Sequence, residues 1–371
     1  MKILVFTKRT YTGRDLLDDR YGRMWEIPYW LARDGHQIRG LASDYHGRGD
    51  NQIKEVEGLP LAWRSLLLGS PPLVGLARYL RELAEAIIAF RPDVIWVSSD
   101  VYHVILGVRL GSRYGIPVVV DLYDNYESFG AVRGMPGARW LFRRSLARAA
   151  AVSCVSEPLA RKVATHLRDV EKVAIVENAV DPKVFRHLRK HECRRRHGLP
   201  EDDLLVGVAG ALSASRGIDV VAAACRILRE QGLPVRLAVA GPRDRDYQGP
   251  TGDEGYDLGM LPPRVVPSFL NSLDVAVVSN IDSAFGRYCF PVKFYEALAC
   301  GVPLATASVG AIRELLGSNS GLLFEPGDAV GLASVIRQQL AVPEHPELTV
   351  PSWQNQAEKL ARLFDQVMLA K

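Results

Sequence analysis

Short apolar runs alternate along this chain with longer runs of helical period, and the alternation happens twice. Lys2–Thr7, Gln37–Ala42, Asp93–Ser98, Ile116–Leu122 and Ala151–Val155 read as strands. Between them, Met24–Ala32, Leu73–Phe90 and Val101–Tyr114 carry apolar residues at helical spacing, with Pro28 as a first-turn or kink residue. Helices recurring between short apolar strands predict a parallel, doubly wound sheet. Val173–Val176 is the last strand of this first series. Pro182–Pro200, rich in Lys, Arg and His, reads as a connection with a helix of its own and a solvated basic face. The pattern then restarts with strands at Leu204–Ala209, Val235–Ala240 and Leu273–Ser279 and a helix over Ile218–Gln231. Asp257–Leu261 is a short strand and loop, and Val265–Leu270 begins a helix. Ala329–Leu340 and Trp353–Ala370 are the closing helices. The expected fold class is α/β, with two doubly wound domains that divide near residue 182.

Composition narrows the picture. With 371 residues, 48% apolar and 24% charged, the chain has the makeup of a soluble globular protein long enough for two domains. No run approaches a membrane span, and Met1–Thr7 is too short and too soon polar for a signal peptide. Five scattered cysteines, without paired or metal-like spacing, suggest a reducing cytoplasm. A net charge of +4 is mild, and the Arg194–Arg196 run has no aromatic or glycine-rich module beside it, so nucleic acid is not an expected partner.

The stretch Phe290–Gly310 carries the most chemistry. Pro291 fits a first helical turn, Phe294, Ala297 and Leu298 share a buried face, and Gly301 suits a left-handed stop. Lys293 lies in the first turn and Glu296 three residues on, so one cation and one carboxylate meet at a helix start. A nucleotide offers matching partners, diphosphate for the cation and ribose hydroxyls for the carboxylate; an ordinary solvated Lys–Glu pair is the alternative. Gly210–Gly217 is a glycine-rich strand–loop–helix junction with Arg216 just before the helix, a phosphate cradle or a plain turn.

In the first half, two strand ends gather polar residues. Val97–His103 follows one strand, and Val120–Glu127 places Asp121, Asp124 and Glu127 after the next. Turn and cap duties would also explain them. Ala138–Ala150 alternates Trp140, Leu141 and Leu146 with Arg139, Arg143, Arg144 and Arg148. Such a helix lies on an anionic membrane or packs on the sheet with its arginines in water. Asp244-Arg-Asp246 matches a three-letter metal motif inside a polar loop, and coincidence accounts for it as well.

Lys293-Phe-Tyr-Glu-Ala-Leu-Ala-Cys-Gly-Val-Pro resembles the signature of family-four (group 1) glycosyltransferases of the GT-B fold. The resemblance implies two Rossmann-like domains facing a cleft: residues 1–182 on the acceptor side, 183–350 binding a nucleotide sugar, and a helix at 351–371 crossing back to the first domain. It implies that Glu296 binds the donor ribose, and that Gly210, Arg216 and Lys293 meet the diphosphate. Gly259-Met-Leu-Pro262 is similar to the base-binding loop, which brings in Leu261. Val120–Glu127 resembles the acceptor-side motif, so Gly13, Asp121, Tyr123 and Glu127 are expected near the acceptor and Asp124 and His103 among the catalytic groups. The sequence departs from the family at several positions. Ala211 stands for an Arg, Arg216 for a Lys, Ala179 for a Gly, Tyr123 for a His or Arg, and Tyr288 for a second Glu.

The expected activity is transfer of a sugar from a UDP- or GDP-sugar to a glycan, lipid-linked or small-molecule acceptor. Retention of configuration, no metal or other cofactor, and a cytoplasmic place with possible contact to an anionic membrane complete the expectation. A sugar-nucleotide epimerase or phosphorylase on the same fold, or a non-catalytic nucleotide- or glycan-binding protein, is the alternative.

Overall fold

A computed structural model describes the chain except residues 12–13, 46, 48–52, 69–71, 134, 246, 318–319 and 371. It divides into two compact units, Met1–Asn178 with Trp353–Lys371, and Ala179–Ser352.

The first unit is built on an eight-stranded sheet. Its strands run in the order Val173–Ile175, Ala151–Cys154, Val118–Leu122, Val94–Val97, Lys2–Lys8, Gln37–Asp44, Leu61–Leu67 and Ile53–Glu55. Every neighbouring pair is parallel except the last, where Ile53–Glu55 runs antiparallel to Leu61–Leu67. Ile3, Val5, Val94, Trp96, Val97, Val119 and Val120 are all buried, as strands covered on both faces must be. Lys2–Lys8 lies between Gln37–Asp44 and Val94–Val97, so the strand order reverses there, the place where open sheets hold ligands.

The Leu61–Leu67 strand escapes sequence reading because Arg64 and Ser65 interrupt its apolar run. Its Trp63 packs flat against the backbone of Gly40, where a Cβ would sit 2.1 Å from the ring. Pro28 lies well inside the helix Arg23–Arg33, not in its first turn.

The second unit holds six parallel strands in the order Gly255–Asp257, Val235–Ala240, Leu204–Ala209, Val275–Val278, Leu304–Ala307 and Leu323–Phe324. Helices Ile218–Glu230 and Ala329–Ala341 bury Ile218, Val221, Leu228, Leu332 and Ile336 against it. The basic connection contributes the helix Lys190–His197, and its Arg194 is not solvated. That guanidinium is buried against Asp274 at 2.7 Å and the Ser272 carbonyl at 2.9 Å.

The division falls at Asn178/Ala179, a few residues before the expected position. Val180 pairs with Ser352 and donates its N–H to the Pro351 carbonyl at 3.2 Å, so both chain crossings are tied inside the second unit. The helix Trp353–Leu369 belongs to the first unit, where it buries Trp353, Ala357, Leu360, Leu363 and Phe364. Its Gln356 accepts the Glu177 N–H at 2.8 Å. All five cysteines are free and buried.

Candidate functional site

In the second unit the helix of the signature runs Val292–Cys300, with Pro291 flanking it in extended backbone and Gly301 closing it at φ 69°. Phe294, Tyr295 and Ala297 face the core and Glu296 is buried beside them, which leaves the first turn to present Lys293. The Lys293 ammonium lies directly over Gly210: a Cβ there would come within 1.3 Å of Nζ and 2.0 Å of Cε. Gly210, at φ 123°, is therefore glycine for two reasons, its backbone angle and the lysine above it.

Backbone bonds gather the other loops at the same edge. Gly210 donates to the Ala240 carbonyl at 2.7 Å, and Gly241 donates to the Gly259 carbonyl at 2.8 Å. Gly241 approaches Gly210 so closely that a Cβ would stand 2.1 Å from the Gly210 carbonyl oxygen. Asp257 accepts the Gly259 N–H at 2.8 Å and shapes the turn that carries half-buried Leu261. Gly210, the Gly259–Leu261 turn and Lys293 thus meet at the carboxyl ends of adjoining strands.

Arg216 enters from the turn Ala214–Arg216, ahead of the helix Ile218–Glu230. Its guanidinium stacks on Phe285, 4.3 Å from the ring centroid. Among the described residues neither Arg216 nor Lys293 forms an ion pair or a side-chain hydrogen bond. Burial pushes the Lys293 ammonium down to about 8; the Glu296 carboxylate opposes that shift and the Arg216 charge adds to it. Two neighbouring cations at the starts of two helices, neither in a salt bridge among the described residues, are an arrangement suited to a multiply charged anion. The sequence thus brings Gly210, Arg216, Leu261, Lys293 and Glu296 into one unit and onto one edge of one sheet.

The first unit treats its expected residues differently. His103, named as catalytic, is 2% exposed, with Nδ1 2.9 Å from Asp100 and Nε2 2.9 Å from the Ser43 hydroxyl. Both ring nitrogens are engaged inside the unit, one of them on Asp100. Asp100 was not singled out as a site residue. It caps the helix Val101–Tyr114 by accepting the His103 N–H at 2.9 Å and binds Lys8 at 2.8 Å. Burial alone would raise that carboxyl, but His103 and Lys8 hold it well below the ordinary carboxylate range. Its position just before an amphipathic helix was the available signal.

Asp121, expected at the acceptor, is withdrawn from solvent altogether. Its two oxygens take Arg23 at 2.6 and 2.8 Å, and Ser153 donates to it at 2.6 Å. Tyr123 is buried too, donating from its hydroxyl to the Ser99 carbonyl at 3.2 Å. It steadies Ser99, whose φ of 94° is unusual for a residue with a side chain. Glu127 is clasped by Arg143 at 2.6 Å and Lys162 at 3.1 Å. Burial would raise its carboxyl, and those two cations bring it below the ordinary range. Asp124 alone of this group is half-buried, at the end of the strand Val118–Leu122. Gly13 and Asp246 lie outside the described residues.

The arginine-rich helix spans Ala138–Arg148 and buries Ala138, Phe142, Ser145 and Leu146. Arg143 belongs to Glu127, but Trp140 and Leu141 stand 61% and 44% exposed beside Arg139, Arg144 and Arg148. No described helix is long and apolar enough to cross a membrane. Among the described residues no group of three or more His, Cys, Asp or Glu side chains is placed to hold a metal ion.

Two family profiles match in tandem, the glycosyl transferase 4-like domain over residues 23–179 and the glycosyl transferases group 1 over residues 203–341. The chain belongs to the group 1 glycosyltransferases. The D-inositol 3-phosphate glycosyltransferase of Stackebrandtia nassauensis is 31% identical over 185 residues, covering 45% of this chain and 41% of that relative. The chain thus spans about two fifths of that relative's length. Among solved structures, sucrose-phosphate synthase from Thermosynechococcus elongatus superposes with a TM-score of 0.72 at 17% identity, covering 100% of this chain and 96% of that one. Anabaena Alr3699/HepE in complex with UDP-glucose superposes with a TM-score of 0.68 at 16% identity, covering 100% and 99%. The fold of the chain is therefore GT-B, with two Rossmann-like units.

Proposed function

We propose that this glycosyltransferase moves a sugar from a nucleoside diphosphate sugar, bound by the second unit, to an acceptor served by the first. The observation that carries the proposal is the pair Arg216 and Lys293, two neighbouring cations at helix starts that form no salt bridge among the described residues. A diphosphate would meet both cations, and Glu296, one helical turn beyond Lys293, is the proposed ribose ligand. Gly259–Leu261 offers backbone groups to the base, and HepE, which shares this fold, binds UDP-glucose. The donor is then a UDP- or GDP-sugar, and the departing diphosphate is stabilised by fixed charges and helix dipoles with no metal required. Retention of configuration rests on the family resemblance alone.

On the first unit, Asp124 stands half-buried two residues beyond the strand Val118–Leu122. It is the proposed acceptor- or donor-sugar contact. The acceptor is a glycan, free or lipid-linked, or a small molecule. The exposed Trp140 and Leu141 among arginines favour an enzyme that works at an anionic membrane surface on the cytoplasmic side.

Calorimetry with a nucleoside, its diphosphate and the nucleotide sugar tests the donor site. Lys293→Ala and Arg216→Ala should each weaken the diphosphate about ten- to a hundredfold and leave the nucleoside nearly unchanged. Glu296→Gln should weaken all three ligands. Unchanged diphosphate binding in all three variants would refute the site.

A further inference from the structure

Arg216 raises a mechanical question. A long flexible side chain that lacks a carboxylate partner should not hold a fixed orientation in water. Here it meets a ring instead, with its guanidinium carbon 4.3 Å from the centroid of Phe285. Phe285 comes from the stretch Asp282–Cys289, the part of the signature region that departs from the family pattern.

That stretch is a tightly closed turn. The Phe285 carbonyl accepts the N–H groups of Tyr288 at 3.2 Å and Cys289 at 3.1 Å. The Ser283 hydroxyl accepts the Gly286 N–H at 3.0 Å, and Asp282 grips Arg287 across the turn. Gly286 is pressed so near the Ile281 carbonyl that a Cβ would stand 2.1 Å from its oxygen. The ring is therefore presented from a turn closed by several hydrogen bonds.

We infer that Phe285 is a positioning residue for Arg216, holding the guanidinium by its face so that the in-plane N–H donors stay free for the donor diphosphate. The choice of a ring has a physical reason. A carboxylate in its place would orient Arg216 equally well, but would consume the same donors and cancel the charge that the phosphate needs. An aromatic face attracts the cation and competes for neither. The inference rests on the donor reading above.

The test uses the full chain with UDP and GDP, each against its nucleoside, by calorimetry, with circular dichroism as the check on folding. Phe285→Leu should weaken the nucleoside diphosphate about two- to thirtyfold, the range a cation–π contact supports, and leave the nucleoside within about twofold. Phe285→Tyr keeps the ring face and should restore binding, which separates orientation from simple space-filling. In an Arg216→Ala background, Phe285→Leu should have no further effect. Full diphosphate affinity in Phe285→Leu, or an equal loss with and without Arg216, overturns the inference while leaving the donor site standing. Full affinity in Arg216→Ala takes Arg216 out of the donor site and overturns this inference, whereas the donor reading itself falls only if Lys293→Ala and Glu296→Gln bind the diphosphate unchanged as well.

Discussion

At the scale of single residues, Lys293 makes the sharpest prediction. Its ammonium titrates near 8 in the free protein, well below its ordinary value of 10.5. A bound diphosphate favours the charged form and raises that value. Nucleoside diphosphate affinity should therefore be level below pH ~8 and fall above it, by up to about tenfold per pH unit. The sign for stability is the reverse. Between about 8 and 10.5 the unfolded chain binds the extra proton, so the nucleotide-free protein should gain stability as pH rises through that window. Lys293→Arg should flatten both curves, and an affinity that stays level up to about pH 9.5 would contradict the assignment. The buried pair Arg23–Asp121 gives a second residue-scale expectation. Arg23→Met strands a carboxylate that has no access to water, and should cost about 3–5 kcal/mol in urea unfolding of the first unit. A loss under about 1 kcal/mol would mean that Ser98 and Ser153 suffice to satisfy Asp121.

At the scale of elements, what could be read depended on how far the cause lay along the chain. The helix over Val292–Cys300 was legible because its face, its glycine stop and its lysine all lie within one stretch. The Leu61–Leu67 strand was not, since its place is set by Gly40 making room for Trp63. Arg216 was legible as a cation in a glycine-rich loop, whereas its neighbour Phe285 sits far along the chain in an irregular segment. Asp121 and His103 looked like site residues because strand ends gather polar groups. Only the partners, Arg23 from the first helix and Ser43 from another strand, show that both are tied inward. The helix Ala138–Arg148 carries its own prediction. Vesicles with anionic lipid should sediment the protein and neutral ones should not, and Trp140→Ser with Leu141→Ser should abolish the difference. Arg143→Ala should instead loosen Glu127 and lower stability, because that arginine already has a carboxylate. Equal sedimentation with both lipid types would dismiss the membrane contact.

At the scale of the whole molecule, the first unit is discontinuous in sequence. Removing residues 353–371 would strip it of Trp353, Leu360, Leu363 and Phe364, side chains worth about 1.5–3 kcal/mol each when buried. Such a truncation should unfold the first unit, seen as loss of its melting transition, while nucleotide still shifts the transition of the second. Loss of nucleotide binding in the truncated chain would show that the second unit cannot stand alone. The same arrangement has a longer reach. The second unit begins and ends at one spot, where Val180 meets Ser352. A segment whose entrance and exit touch can be lifted out and exchanged as a cassette without respacing the host chain. On the proposed division of labour between the units, lineages, or engineers, could then swap the donor sugar while keeping the acceptor, by recombination at two neighbouring points.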